Sequence, residues 1–263
     1  MFIVFWYILR IEIDLVNSFS SISRFLNTYP AKRSWHLRFK PVCASTELEL
    51  SRWLKDRPFK NNNSRAFIAQ RQNFGKGQFG RPWDSPFGGV WLSAALPFEQ
   101  SIHSPELLGL AVAVAMANTI QPECEQVPIK IKWPNDLIVL DRKLAGILPR
   151  VITRGEVIKY VRIGIGINVC NRVSSKAINL KQILARDNIS IAKWAAKTLI
   201  SLDQAIELTK DPKSLCNQGE KMLWNKKFLD STTSETWQID GLNFNGSLKL
   251  RRGLRRKSIS RWN

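Results

Sequence analysis

The stretch 129–152 reads IKIKWPNDLIVLDRKLAGILPRVI. IKIKW (129–133) and LIVL (137–140) are short apolar-rich runs on either side of Pro134-Asn135-Asp136, a turn tripeptide, and the pattern predicts a hairpin. KLAGILPRVI (143–152) predicts a further strand, and YVRIGIGINV (160–169) another. Working back, WHLRFKPVC (35–43), AFIAQRQ (66–72) and VWLSAAL (90–96) also have strand character. Thr46 and Glu49 are spaced as a capping box for a helix running to about Lys55. Pro105 stands at the start of a second helix, LLGLAVAVAMANTI (107–120), which is apolar nearly all round and too short to span a bilayer, so it should be buried. Residues 189–209 carry a helical period and 216–228 suggest one more helix. From Trp237 the pattern returns to strands around Gly241 and Asn245-Gly246. Strands and helices are mixed rather than regularly alternating, which predicts an α+β fold: a mixed sheet flanked by helices, with a small C-terminal β appendage. The expected divisions are an N-terminal extension (1–34), a main domain (35–228) and the appendage (229–263).

Composition narrows the function classes. An apolar share of 44% over 263 residues suits one globular α/β domain with a small addition. Cysteines 43, 124, 170 and 216 form no CxxC pair, which argues against a zinc site or a disulfide framework and fits a reducing compartment. The formal charge of +19 favours anionic ligands or acidic partners. The densest basic run, Lys249 to Arg261, is interleaved with Leu250, Leu254 and Ile259, a pattern of terminal strands with solvated faces rather than a nucleic-acid arm. The apolar start MFIVFWYIL (1–9) is far shorter than a membrane span and has no basic segment before it, so a cytoplasmic protein is expected. Residues 1–34 lack the paired helices of a helix-turn-helix, and no specific DNA binding is expected.

The chemistry concentrates in three segments. Gly75-Lys76-Gly77-Gln78-Phe79-Gly80 matches GxGxxG, but Pro82 and Pro86 follow too closely for the helix a dinucleotide fold requires. What remains is a basic glycine-rich loop whose backbone N–H groups at Gly75, Gly77 and Gly80 form a candidate anion nest, with Lys76 and Arg81 adding charge. Around the 134–136 turn, Lys132 offers a cation and Asp136 a carboxylate, a pairing suited to a phosphate and its magnesium ion. Lys143 opens an apolar strand, where an ordinary solvent lysine is less expected. Gly164 and Gly166 lie on one strand face and permit close approach of a flat ligand, with Asn168 as a polar end.

Taken together, QRQNFGKGQFGRPWDSPFGGVWLS, KWPNDLIVLDRKLAGIL and IGIGINV, in this order, closely resemble the three signatures of biotin–protein ligases, over about residues 35–256. The resemblance implies a class II synthetase-like catalytic domain with an SH3-like appendage. It implies biotin contacts from Ser45, Thr46, Gln72, Gly75, Lys76, Gly77, Gln78 and Lys143, in a pocket shaped by Gly146, Gly164 and Gly166. ATP would lie against Gly77, Gln78, Gly80, Arg81, Trp83, Lys132, Asn135 and Asn168, with Asp136 helping to hold Mg2+. Lys143 would be the main catalytic residue, aided by Lys76 and Arg81. The implied acceptor is a lysine of the biotin carboxyl carrier protein of acetyl-CoA carboxylase, and the enzyme a monomer or homodimer of the monofunctional type. A lipoate–protein ligase would share fold and chemistry, and a basic nucleic-acid-binding protein would explain the charge. Three positions depart from the family pattern. Lys76 and Gln78 stand where the family loop usually has arginines, and Glu47 where a neutral asparagine is common. Glu47 is expected to turn outward into the helix cap.

Overall fold

The computed structural model describes residues 20–28, 33–59, 63–97, 105–124, 126–230 and 232–260. The reading of residues 1–9 lies outside these. The chain runs β1 (Trp35–Cys43), α1 (Thr46–Asp56), β2 (Ser64–Gln72), β3 (Gly89–Pro97), α2 (Leu108–Ile120), β4 (Lys130–Lys132), β5 (Asp136–Val139), β6 (Arg142–Arg154), β7 (Val157–Asn168), α3 (Leu180–Leu184), α4 (Ile191–Leu208) and α5 (Pro212–Lys221). A second set of strands follows: β8 (Lys227–Leu229), β9 (Thr236–Leu242), β10 (Leu248–Arg252) and β11 (Arg255–Ile259). Seven strands form one sheet in the order β1-β2-β3-β7-β6-β5-β4, with β1 and β2 parallel and every other pair antiparallel. The last four form a separate antiparallel sheet.

Alternation along the strands gives the large sheet two different faces. Leu92, Ala94 and Leu96 of β3, with Ile163, Ile165 and Ile167 of β7, join the main core, where α2 and α4 pack on each other and on the sheet. In α2, eleven of thirteen residues are buried, so a helix with no polar face is stable here only because neighbours cover every side. The opposite face carries Phe67 of β2 and Ala95 of β3, which pack with Leu50, Trp53 and Leu54 of α1 in a separate cluster. Each such fully buried Leu contributes about 1.5–3 kcal/mol relative to exposure, so α1 is firmly seated on this second face. On the same face β7 presents Arg162, Gly164, Gly166 and Asn168, opposite Arg150, Leu148 and Gly146 of β6.

Three local expectations are corrected. The cap of α1 is Ser45, whose hydroxyl accepts from Glu47 N at 3.3 Å, while Glu49 turns away to Lys40 and Arg52. Thr46 therefore stands inside the helix, and the Thr46–Glu49 capping box does not form. The last helix spans Pro212–Lys221 rather than 216–228, because Asp211 caps it and Pro212 fills its first turn. The small sheet accordingly begins earlier, at Lys227. Its basic residues are largely paired: Arg251 with Asp240, Arg252 and Arg255 with Glu235, and Lys257 with Asp230. Hydrogen bonds to the β4–β5 turn and to α5 tie the small sheet to the rest of the chain. Trp133 Nε1 donates to Gly246 O at 2.9 Å, and Leu242 N donates to Glu220 Oε2 at 3.0 Å. Gly246 has φ +80°, and a Cβ there would fall 2.6 Å from Leu107 Cδ2, so the docking turn requires glycine.

Candidate functional site

A cavity of about 220 Å3 opens on the second face of the sheet, between α1, the loop from β2 to β3, and the β4–β5 turn. Three strand positions in its lining, Gly146, Gly164 and Gly166, lack side chains. At Gly164 an added Cβ would meet nothing closer than Leu148 Cβ at 3.6 Å, so the strand surface there is open. At Gly166 and Gly146 the space is filled by the protein itself: added Cβ atoms would fall 2.5 Å from Trp83 Nε1 and 2.9 Å from Trp83 Cζ3. The flat group admitted by Gly146 and Gly166 is thus the indole of Trp83, and Gly164 leaves the bare floor.

One end of the cavity is neutral and rich in hydrogen-bonding groups. Gln72 Oε1 accepts from Thr46 N at 2.8 Å and from Thr46 Oγ1 at 3.0 Å, and its Nε2 donates to Ser85 Oγ at 2.9 Å. Thr46 Oγ1 lies 2.8 Å from Ser93 Oγ. These groups sit at the end of β2, on β3 and in the first turn of α1, so the strand pairing and the Ser45 cap fix them before any ligand arrives. Ser93 escaped the sequence reading; its one signal was a hydroxyl inside the apolar run VWLSAAL.

The other end is charged. Lys143 Nζ lies 2.6 Å from Asp136 Oδ2 and 4.8 Å from the centroid of the Trp83 ring. Its backbone is pinned by Lys143 N donating to Lys176 O and by Ile178 N donating to Lys143 O, each at 3.0 Å. Asp136 stands opposite Gly146 in the β5–β6 pairing, which places its carboxylate beside Trp83. Lys76 and Arg81 line the same mouth and are exposed.

Ser45, Thr46, Gln72, Lys76, Gly77, Gln78, Arg81, Trp83, Asn135, Asp136, Lys143, Gly146, Gly164 and Gly166 all line this one cavity. Four residues do not. Gly75 is buried beneath the loop, where a Cβ would meet Trp83 O at 2.6 Å. Gly80 is exposed on the outer side with φ +71°. Lys132 is exposed, its Nζ 5.6 Å from the Trp224 ring centroid. Asn168 is buried behind Lys143, donating from Nδ2 to Lys143 O at 3.3 Å and accepting at Oδ1 from Asn171 Nδ2 at 2.9 Å. It supports the lysine's backbone, and Asn171 extends that support. Of the three amides read as a candidate anion nest, Gly77 N is occupied within the loop, donating to Arg81 O at 2.8 Å. Glu47, expected to face outward, points inward instead, with Oε1 3.1 Å from Arg162 Nη2, and it lines the cavity.

Among the described residues no cluster of three His, Cys, Asp or Glu side chains could hold a metal ion by itself, and no helix is long and apolar enough to cross a membrane. One carboxylate at a cationic mouth does fit a magnesium ion that arrives on a nucleotide's phosphates, since Mg2+ is commonly held by one or two carboxylates plus substrate oxygens.

The profile of the Biotin/lipoate A/B protein ligase family matches residues 45–168, the segment from the α1 cap to the end of β7 that builds this cavity. The bifunctional ligase/repressor BirA of Salmonella typhimurium is 35% identical over 173 residues, 64% of this chain and 52% of that protein. The biotin–[acetyl-CoA-carboxylase] ligase of Paracoccus denitrificans is 29% identical over 115 residues, 43% of this chain and 48% of that one. The chain thus spans about half the length of these curated relatives. Among solved structures, the biotin protein ligase of Aquifex aeolicus in complex with biotin and ATP superposes with a TM-score of 0.71 at 23% identity, covering 86% of this chain and 95% of that one, which shows a shared fold. Residues 45–168 thus form a domain of the biotin/lipoate A/B protein ligase type.

Proposed function

We propose that this protein activates biotin with ATP and transfers the biotinyl group to a lysine of a carrier protein. The observation that carries the proposal is the polarity of one continuous slot: Thr46, Gln72 and Ser93 make a neutral, hydrogen-bonding end, and Lys143 with Asp136 makes a charged one. A ligand with a compact polar head and a carboxylate on an aliphatic tail suits that arrangement. The biotin-ligase and BirA relatives, and the biotin and ATP in the Aquifex protein, support the choice of ligands.

In the first step a carboxylate oxygen of biotin attacks the α-phosphorus of ATP, the bond to the bridging oxygen breaks, and pyrophosphate leaves. The reaction joins two anions, so the protein's work is to hold them together and offset the charge that grows on phosphorus. Lys143 stands where it can do this, and its present partner Asp136 is replaced at Nζ by the substrate oxygens. Asp136, released from the lysine, would help hold magnesium, which would supply neutralisation of the phosphate charge. Lys76 and Arg81 add positive potential at the mouth. In the second step the neutral ε-amine of the acceptor lysine attacks the mixed anhydride carbonyl, an amide bond forms, AMP leaves and the amine loses a proton. No nucleophile from this chain is required. The biotin carboxyl carrier protein of acetyl-CoA carboxylase is the proposed acceptor, in keeping with the name of the Paracoccus relative. The test is to incubate the protein with Mg-ATP, biotin and a carrier domain, and to read the carrier's mass. A single added biotinyl group that requires both ATP and biotin is the expected result; an unchanged carrier mass would overturn the proposal.

A further inference from the structure

Lys143 stands where the large sheet runs out. The pairing of β6 with β7 begins at Ala145, opposite Ile167, so Lys143 lies beyond the last partner on that side. On its other side it faces Ile138, at the register shift between Leu137 and Ile138. A strand end with one neighbour missing and the other bulged is expected to fray. Three asparagines stand in for the missing ladder. Asn168, the last residue of β7, donates from Nδ2 to Lys143 O at 3.3 Å. Its Oδ1 accepts from Asn171 Nδ2 at 2.9 Å, and Asn171 O accepts from Asn179 Nδ2 at 2.8 Å. Asn179 directly follows Ile178, whose amide donates to the same Lys143 O at 3.0 Å, so the bonds close a ring on the lysine. The ring is anchored to a helix, because Asn179 Oδ1 also caps α3 by accepting from Gln182 N at 2.9 Å.

The asparagines are only 6%, 3% and 7% exposed in chain order, so bulk water cannot replace a lost link. Asn171 is held at both ends, with Oδ1 accepting from Val169 N at 3.1 Å and Nδ2 turned to Asn168. It thereby decides that the donor end of Asn168, and not its oxygen, faces Lys143 O. We propose that Asn171 and Asn179 are positioning residues for the activation step, holding the Lys143 backbone so that its ammonium meets the phosphorus centre in register. The inference rests on the reading of Lys143 as the residue that offsets charge in that step. Neither asparagine lines the cavity, so both act through the lysine. Misplacing a reacting group by about 1 Å can cost on the order of 100-fold in rate. A displaced cation still attracts the anionic substrates, so the loss falls on turnover rather than on binding.

The test is biotin-dependent pyrophosphate exchange, with biotin and Mg-ATP affinities read by calorimetry, on the full chain and two isosteric variants. Asn171→Asp sets a carboxylate oxygen against Asn168 Oδ1, acceptor against acceptor, and turns the Asn168 amide away from Lys143 O. Asn179→Asp keeps the oxygen that caps α3 and removes the donor to Asn171 O. Each variant, folded by its melting curve, should lose at least about tenfold in the kcat of exchange while both affinities stay within about threefold of the parent. Parental kcat in either folded variant would overturn this inference and leave the proposed function intact. Affinity losses as large as the rate loss would overturn it too, since they mark a collapsed pocket and not a misaligned lysine. Failure of both variants to fold would assign the asparagines to the fold alone, which also overturns it. A parent chain without biotin-dependent exchange, or a Lys143→Ala variant with parent-like exchange, would overturn the role proposed for Lys143 and this inference with it.

Discussion

Gly164→Ala and Gly166→Ala differ by two positions on one strand face, and the structure predicts opposite phenotypes for them. At Gly166 the new methyl would lie 2.5, 2.6 and 2.8 Å from three atoms of the Trp83 indole, well inside contact distance. The ring must shift, and it is the ring that Lys143 Nζ overlies at 4.8 Å. Overpacking of this kind costs about 1–3 kcal/mol, so Gly166→Ala should lose stability and binding together. At Gly164 the nearest atoms are Leu148 Cβ at 3.6 Å and Leu148 O at 3.9 Å, ordinary contacts. The fold should absorb this methyl within about 0.5 kcal/mol. The methyl nevertheless projects into the slot, and one carbon of misfit in a shaped pocket costs about 1–3 kcal/mol of binding, or roughly 10–200-fold. Denaturant unfolding gives the stabilities and titration calorimetry with biotin gives the affinities. A Gly164→Ala variant that binds biotin as tightly as the parent would refute the placement of ligand over Gly164. A Gly166→Ala variant of parental stability would refute the seating of Trp83 on the strand.

Glu123 accepts from Lys193, Lys197 and Arg186, joining the end of α2 to α4. Lys197 first, and then Lys193, hold its carboxyl down to about 2 from 4.5. Because the folded-state value is depressed, its stabilisation is complete above the ordinary value and is lost as pH falls from about 4.5 towards 2. Glu123→Gln should cost roughly 1 kcal/mol at neutral pH and flatten the melting temperature against pH below 4.5; an unchanged acid limb in that variant would contradict the assignment. Trp133→Phe removes the indole that donates to Gly246 O, which should cost about 1 kcal/mol and raise amide exchange at the turn 243–247. Exchange unchanged at that turn would show that the small sheet docks without it.

Much of the fold was legible because its strongest signals are local. The β4–β5 hairpin, the long strands β6 and β7 and the buried helix α2 each follow from a turn tripeptide or an uninterrupted apolar pattern. The helix at 212–221 was misplaced because a Pro at its first turn and an Asp cap decide its start, and apolar periodicity does not register them. In the site, the residues carried by the three signatures converge on one cavity, yet sequence spacing could not tell ligand contacts from supports. Gly146 and Gly166 read as room for a ligand, but the occupant is Trp83, a residue more than sixty positions away from either. Asn168 read as a ligand contact, but it holds the backbone of Lys143. Glu47 was expected outside because a carboxylate beside an acid ligand is unfavourable, and its compensating partner, Arg162, lies on a strand that only the sheet register brings across. Partners of that kind are properties of register, and no local pattern encodes them.

Lys143, held 2.6 Å from Asp136 at the charged end of the slot, is the residue on which the proposed activation step turns. Biotin-dependent exchange of labelled pyrophosphate into ATP isolates the first chemical step without any acceptor protein. The parent chain should support exchange that requires biotin, and Lys143→Ala, folded by its melting curve, should abolish it. Parent-like exchange in the Lys143→Ala protein would contradict the central claim.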